Sequence, residues 1–449
     1  MTATPWERFS YGPWDDTAVV PQLPPEEATR ADRDFPHTLI PVPGHGVLQR
    51  PAYDPAANHH AMGMRLSEPQ FTDAHTGRAW GAARRHALDH VLAAVASSPW
   101  AEHLVLRGSV LLKAWFGDAA REPGDLDFVV VPDTWRLADD RTDAMLDGIA
   151  RGAEELAREA GGLVRIDAAG AVSDEIWTYD RVPGRRLVLP WTAAEGTPPG
   201  TVQLDFVFNE TLPAPAVRTT VPRRGPGAPA VLMAASPELS LAWKILWLVT
   251  DRHPEAKDLY DAVLLAESTR LPYALVQRVL VAAGEYPEGS PLFLSHILHQ
   301  AAEADWFEFR KDHPDFPDDE ATFLTRFAVA LAPVFAPAEH GVYAQLAASF
   351  QYLTRALSEQ REAGGMEAVE EWLAGRGVHS VEAVVAVREL LGRARCTLGE
   401  AAAVLASFRD TRFDRDKHLY RGGWRGDAHR VAGQLENPLV QAGHRMAAI

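Results

Sequence analysis

An α+β fold, with a mixed-sheet core followed by a helical C-terminal domain, is what the 449-residue sequence predicts. Three observations carry this expectation. Residues 79–210 alternate helical and strand patterns and then run mostly to strand. Strand signals largely vanish after a Pro-, Arg- and Gly-rich stretch at 213–230. The composition, 47% apolar and 23% charged, is that of a globular chain long enough for two to three structural units. The expected organisation is an irregular N-terminal arm (1–75), the sheet-bearing core (76–212), a connector (213–230), a helical domain (231–408) and a charged tail (409–449).

The arm is rich in Pro, Gly, Asp and His, with few periodic apolar stretches, and should pack on the body through Trp6, Tyr11 and Trp14. Over 79–98 the residues Ala87, Leu88, Val91, Leu92 and Val95 recur at helical spacing. A short strand at 104–106 runs into Arg107-Gly108-Ser109, and a helix begins at 110. A polar turn at 117–124 precedes a strong strand at 126–131, which Pro132 ends. A helix at 139–160 follows, then strands at 163–166, 175–179, 186–190 and 202–209. Ser236-Pro237-Glu238 is a helix start, with a capping hydroxyl, proline at the first position and an acid in the first turn. Helices are then expected at 237–251, 256–267, 272–283, 290–305, 320–333, 340–362, 366–375, 380–393 and 397–408.

Several classes of function are disfavoured. A net charge of −17 argues against broad coating of nucleic acid, whose affinity rests on phosphate contacts. A nucleic-acid substrate then needs a local patch, for which Arg181, Arg185, Arg186, Arg218, Arg223 and Arg224 are the candidates, ordinary loop arginines being the alternative. The single cysteine, Cys396, excludes an internal disulfide and a cysteine-built zinc site. No apolar run approaches the ~18 residues of a membrane span, and Lys244 interrupts the nearest one. With no basic-then-apolar leader, a cytoplasmic location is expected. His59-His60 lack zinc-ligand spacing. Asp305-Trp306-Phe307-Glu308-Phe309 with Asp312, Asp315, Asp318 and Asp319 reads as a solvated acidic loop, and Asp414-Arg415-Asp416-Lys417-His418 as surface ion pairs.

The densest chemical signal is Arg107-Gly108-Ser109 followed by Gly124-Asp125-Leu126-Asp127-Phe128. Strand residues two apart share a face, so Asp125 and Asp127 project together. Such a pair is either a solvated strand end or a site for Mg²⁺, a hard ion that takes oxygen ligands beside phosphates. The Gly-Ser turn offers backbone N–H groups, a hydroxyl and a helix N-terminus, suited to a triphosphate or simply to a tight capped turn. Asp205 lies between Leu204 and Phe206 and faces away from them. It is either an exposed strand acid or a third carboxylate able to hold an ion or act as general base. Lys244 sits in a helix apolar nearly all round and needs a phosphate, a carboxylate or a route to water. Asp258 and Asp261 share a helix face. Asp258 could anchor Lys244 or Arg252, bind metal or nucleotide, or serve only the helix dipole.

These pieces, "LRGSVLLKAWFG", "REPGDLDFVVVP", "LDFVF" and "SLAWKILWLVTDRHPEAKDLYDAVLLAES", resemble the AbiEii/AbiGii-type toxin nucleotidyltransferases of the polymerase-β-like superfamily. The resemblance implies a nucleotidyltransferase core, Mg²⁺ and a nucleoside triphosphate (NTP). It implies transfer of a nucleotidyl group to an acceptor, tRNA near its 3′ end for characterised relatives, under control of an antitoxin. By position it implies Gly108 and Ser109 in the phosphate loop and Asp125, Asp127 and, less directly, Asp205 on metal. Lys244 falls on the triphosphate, Asp258 is a further essential acid, and Asp261 stands beside it toward the nucleotide. Two other functions compete. One is a nucleotidyltransferase acting on a small molecule or antibiotic, with Trp243, Trp247 and Trp306 offering an aromatic pocket. The other is a non-catalytic nucleotide-binding scaffold.

Overall fold

The two-residue period of a strand gives Leu126-Asp127-Phe128-Val129-Val130 and Leu204-Asp205-Phe206-Val207 one apolar and one mixed face each. The computed structural model describes residues 3–15, 17–57, 63–178, 182–284, 286, 292–313, 320–335, 342–408 and 424–436. It forms two compact units. The first holds 1–247, 251–265 and 304–318, and the second holds the rest.

In chain order the elements begin with α1 (Glu27–Arg33), β1 (Val47–Leu48), β2 (Pro51–Tyr53), β3 (Met64–Leu66), β4 (Gln70–Phe71) and α2 (Ala74–Ser97). Next come β5 (Leu104–Arg107), α3 (Ser109–Phe116), β6 (Asp125–Val130), α4 (Asp140–Glu159), β7 (Val164–Ile166) and β8 (Val172–Thr178). Then follow β9 (Val182–Ala193), β10 (Gly200–Val207), β11 (Val217–Val221), β12 (Ala230–Ala234), α5 (Pro237–Thr250) and α6 (Ala256–Ser268). The remaining helices are α7 (Tyr273–Ala282), α8 (Leu294–Ala301), α9 (Trp306–Asp312), α10 (Glu320–Phe335), α11 (Val342–Ser349), α12 (Gln351–Arg376), α13 (Ser380–Leu391), α14 (Leu398–Ser407) and α15 (Trp424–Glu436).

The eight-stranded sheet runs β11-β12-β5-β6-β10-β9-β7, with β8 also on β9. It is mixed: β10 is parallel to β6 and β12 to β5, while the other pairs are antiparallel. On its apolar face Phe128 and Phe206 stack with ring centroids 5.5 Å apart. Trp191, on the same face, meets Trp80 of α2, and α2 packs against α4. The fold is α+β, as the sequence predicts: a mixed sheet with helices, followed by a helical C-terminal region.

Several element assignments differ from the sequence expectation. The stretch expected as a bare connector carries β11, and β12 follows it as a sheet strand parallel to β5. Most of β11 is exposed, so Thr and Arg replace the apolar alternation that marks a strand. The helix expected over 290–305 is the shorter α8, with α9 separate beyond it. Residues 305–309, read as an acidic loop, open α9 instead: the Asp305 carboxylate caps it by accepting the Glu308 N–H at 3.0 Å. The helix expected over 340–362 breaks at Phe350, and the gap foreseen after 362 is present as non-helical Gly364 and Gly365 inside α12. Within the tail expected to be irregular, α15 forms. In the arm, Trp6 and Trp14 are buried with Phe9, Phe35 and Met64, but Tyr11 is 70% exposed and stands outside that cluster. His59, His60, Asp315, Asp318, Asp319 and residues 414–418 lie outside the described residues.

Candidate active site

The site is built on the mixed face of the sheet, and strand register assembles it. Across the strands, Arg107 of β5 stands beside Asp127 of β6, which stands beside Asp205 of β10, then Arg186 of β9 and Asp174 of β8. Asp125 lies two residues before Asp127 on the same face, beside Gln203. The strands therefore bring Asp125, Asp127 and Asp205 together, with one carboxylate oxygen from each within 4.8 Å of the others. Burial, then the charges of Asp125 and Asp205, push the Asp127 carboxyl up to about 8, while Arg107 pulls the other way.

The two arginines at the ends of the acidic pair are fixed. Arg107, 3% exposed, donates to Glu210 at 2.9 Å and lies over the rings of Trp243 and Trp247. Arg186 grips Asp205 through two bonds of 2.9 and 2.8 Å and donates a third, at 2.8 Å, to Asp54 of the arm. Gln203 Nε2 adds a bond to Asp205 at 3.2 Å. The third carboxylate thus meets the other two already neutralised from behind.

Beside the acids, β5 turns at Gly108 into α3. Gly108 has φ +82°, and a Cβ there would overlap the Asp127 Oδ2. Ser109 opens α3, is 1% exposed, and its Oγ has no hydrogen-bond partner among the described residues. Gly108→Ala is therefore expected to cost about 1–3 kcal/mol of backbone strain and to displace the Asp127 side chain. Loss of activity greater than the loss of thermal midpoint explains would check this, and full activity would refute it.

The cleft over these groups, about 210 Å³, is lined by Gly108, Asp125, Asp127, Asp205, Lys244 and Asp258, among others. Lys244, 3% exposed, donates to Asp258 at 2.7 Å and lies 3.0 Å from Asp261. Burial alone would lower its pKa, but Asp258 and Asp261 outweigh it and hold the ammonium charged. Asp261 is fully buried and also accepts two bonds from Arg121, at 3.1 and 3.0 Å. It does not line the cleft. Of the alternatives open for Lys244 and Asp258 in the sequence, the structure contains the ion pair.

Charged groups that the motifs did not single out complete the cleft: Arg65, Arg121, Glu255 and Lys257 line it. Lys257 lies 2.9 Å from Glu255. Arg186, read in the sequence as part of a basic surface, is a buried partner of Asp205 instead. One signal was available: consecutive strand residues face opposite ways, so of Arg185-Arg186 one had to point into the sheet's mixed face. The other described members of that cluster also have acids within 4.0 Å: Arg185 with Asp143 and Glu175, Arg218 with Glu102, Arg223 with Asp89 and Arg224 with Asp118. Arg181 lies outside the described residues. All three tryptophans are buried, and of them Trp247 lines the cleft while Trp243 and Trp306 do not.

Among the described residues no helix is long and apolar enough to cross a membrane. Two solved structures are similar to the chain: a protein of H. pylori assigned as a nucleotidyltransferase and JHP933 from Helicobacter pylori. Both are 14% identical, with TM-scores of 0.34 and 0.35, covering 56% of this chain and 92% and 90% of theirs. No match is found among curated proteins. The family described as "Nucleotidyl transferase AbiEii toxin, Type IV TA system" matches residues 90–333, which contain the Gly-Ser turn, all three carboxylates and the Lys244 pair. With more than half of its length matched, the chain belongs to the AbiEii family of toxin nucleotidyltransferases and is a nucleotidyltransferase.

Proposed function

We propose that the protein is a Mg²⁺-dependent nucleotidyltransferase that moves a nucleoside monophosphate from an NTP to an acceptor hydroxyl, the acceptor being the 3′ end of tRNA. The observation that carries this is the meeting of Asp125, Asp127 and Asp205 beside a glycine turn at a helix N-terminus. The donor set is all carboxylate oxygen, which fits a hard divalent ion. Burial, and after it the repulsion from Asp125 and Asp205, push Asp127 up to about 8, and a bound cation offsets both. Asp125 and Asp127 would hold it, with Asp205 contributing from its place against Arg186. Bound there, Mg²⁺ supplies charge neutralisation on the phosphates and a more acidic acceptor hydroxyl.

The rest falls to the chain. The backbone N–H groups after Gly108 and the unpartnered Ser109 hydroxyl receive the β- and γ-phosphates. Lys244, held by Asp258 and Asp261, presents its charge to them, and Lys257 and Arg121 strengthen the positive wall. The acceptor oxygen bonds to the α-phosphorus as the bond to pyrophosphate breaks, and Asp205 takes the hydroxyl proton. Positioning and electrostatics do most of the catalysis. A cytoplasmic setting and an antitoxin partner that restrains the activity complete the reading.

The test is incubation of the protein with each labelled NTP and total tRNA, followed by sequencing-gel analysis of 3′ ends. Label on the tRNA terminus with pyrophosphate released supports the reading. Label on a small molecule alone assigns the acceptor to the other class, a reading favoured by the paired state of the five described arginines. Metal binding has its own signature. Asp127 must lose its proton to bind the ion, so the rise in thermal midpoint on adding Mg²⁺ should grow as pH passes from 6 through about 8. An Mg²⁺ effect that does not vary over that range would remove Asp127 from the metal site.

A further inference from the structure

A second cavity, about 120 Å³, lies against the same sheet face and shares Arg65, Leu66, Glu68, Gly124, Arg186 and Gln203 with the main cleft. Its position follows from the strand order β5-β6-β10-β9. The Gly108 turn stands at the β5 side of the acids. The second cavity is floored by Thr201 and Gln203 of β10 and by Val188 of β9, on the opposite side. Its roof comes from the N-terminal arm, through Leu39, Ile40, Val42 and Met64, a part of the chain that precedes the family match.

We propose that this cavity seats the terminal nucleobase of the acceptor. This rests on the nucleotidyl-transfer reading above. An in-line displacement needs the attacking hydroxyl and the departing pyrophosphate on opposite sides of the reacting phosphorus. With the phosphate-binding turn on the β5 side, the attacking group enters from the β10–β9 side, where the cavity opens. Its volume is well below the ~300–1,000 Å³ of a complete ligand pocket, so it takes one part of a molecule. Aliphatic walls and the Trp80 ring suit a flat ring, and the Thr201 hydroxyl and Gln203 amide offer hydrogen bonds to its edge.

The charged groups lining the cavity are Arg65, Arg84, Arg186 and Glu68. The acids that pair with Arg65 and Arg186 (Asp312, Asp54 and Asp205) line the main cleft instead. Each of the three arginines is held by one of these acids or by Glu68, so the lining adds no net positive charge, and the narrow aliphatic slot with the Thr201 and Gln203 edge is what fits a base.

Two plugs test the assignment, Thr201→Trp from the sheet and Ile40→Trp from the arm. Each is placed in the full-length protein and read with an NTP whose α,β-bridging oxygen is replaced by methylene, so that binding is measured without turnover. Fluorescence anisotropy of a short 3′-hydroxyl RNA reads acceptor binding, and the thermal shift with NTP reads the phosphate side. The expected result is RNA binding weakened about tenfold or more with the NTP shift kept. Free nucleosides added as competitors distinguish the source. Competition shows that a mononucleoside suffices, and its absence assigns the site to a polynucleotide end. Unchanged RNA binding in both plugs overturns the assignment. So does loss of the NTP shift with RNA binding intact, which would give the cavity to the base of the triphosphate. If the wild type transfers no label to any acceptor, the transfer reading falls while the anisotropy still reports on the cavity.

Discussion

Asp127→Asn abolishes nucleotidyl transfer, by about a thousandfold or more, and makes the metal-free protein more stable at neutral pH. The two effects have one cause. Asp127 is held between Asp125 and Asp205, and burial and repulsion push its carboxyl up from 3.8 to about 8. A carboxyl raised on folding stabilises the native state fully below its unfolded value and loses that contribution as pH rises through the folded one. Asparagine imitates the protonated acid at every pH. The stability difference between variant and wild type should therefore be small near pH 4, grow as pH rises, and level off above about 8. Thermal melts across that range without metal, beside a transfer assay with Mg²⁺, check both halves. A variant less stable than wild type at pH 8 would mean that Asp127 is a structural acid and would remove the reason to place a metal there. The opposition of stability and activity is the mark of a group kept in an unfavourable place for its chemistry.

The acids were legible in the sequence because a strand exposes its logic locally. Asp125-Leu126-Asp127 alternates, and so does Leu204-Asp205-Phe206, so the shared face followed from period two alone. The Gly-Ser turn was legible because few residues can stand where φ is +82°. What pairs with what was not legible. That Asp205 meets Asp127 depends on β10 lying parallel to β6, across a connection of some length. That Arg186 neutralises Asp205, and that Asp54 of the arm neutralises Arg186 in turn, depends on two further registers. The connector hides its strand for a related reason. On an exposed edge strand nothing selects apolar alternation, and β11 looks like a loop until β12 pairs with it. The same limit applied to α9: the acids of 305–312 resemble a solvated run, yet Asp312 accepts from Arg65 at 2.9 Å and from the Glu68 N–H at 2.8 Å.

The arm's part in the site bears on how activity is tuned. Asp205 is offered to the other acids with a guanidinium across both of its oxygens, and that guanidinium is shared with Asp54. Removing the Asp54 charge leaves Arg186 to Asp205 alone and tightens its hold there. The acid chain from arm to β10 thus sets how much negative charge Asp205 retains for an ion or a proton.

Asp261→Ala carries the largest stability loss expected for any single change near the cleft. Its carboxylate is fully buried and holds two cations, Arg121 through two hydrogen bonds and Lys244 at 3.0 Å. Burial works against its charge, but Arg121 and Lys244 prevail and keep its pKa below the usual carboxylate value. Its contribution is therefore present above the unfolded value and lost as pH falls through the folded one. Truncation leaves two buried cations with only Asp258 between them, and a buried charge left without its partner costs about 3–5 kcal/mol. Asp261→Asn keeps an acceptor oxygen and should cost less. Hydrogen exchange of the α5 and α6 amides reads the loss where it occurs. Activity should fall in both variants, because Lys244 keeps its place only while acids flank it. If alanine were tolerated with unchanged exchange, the network would not hold Lys244, and its position over the cleft would need another cause. If exchange accelerated while transfer continued at the wild-type rate, the lysine would be a structural cation and the phosphates would be held by Lys257 and the Gly108 turn alone.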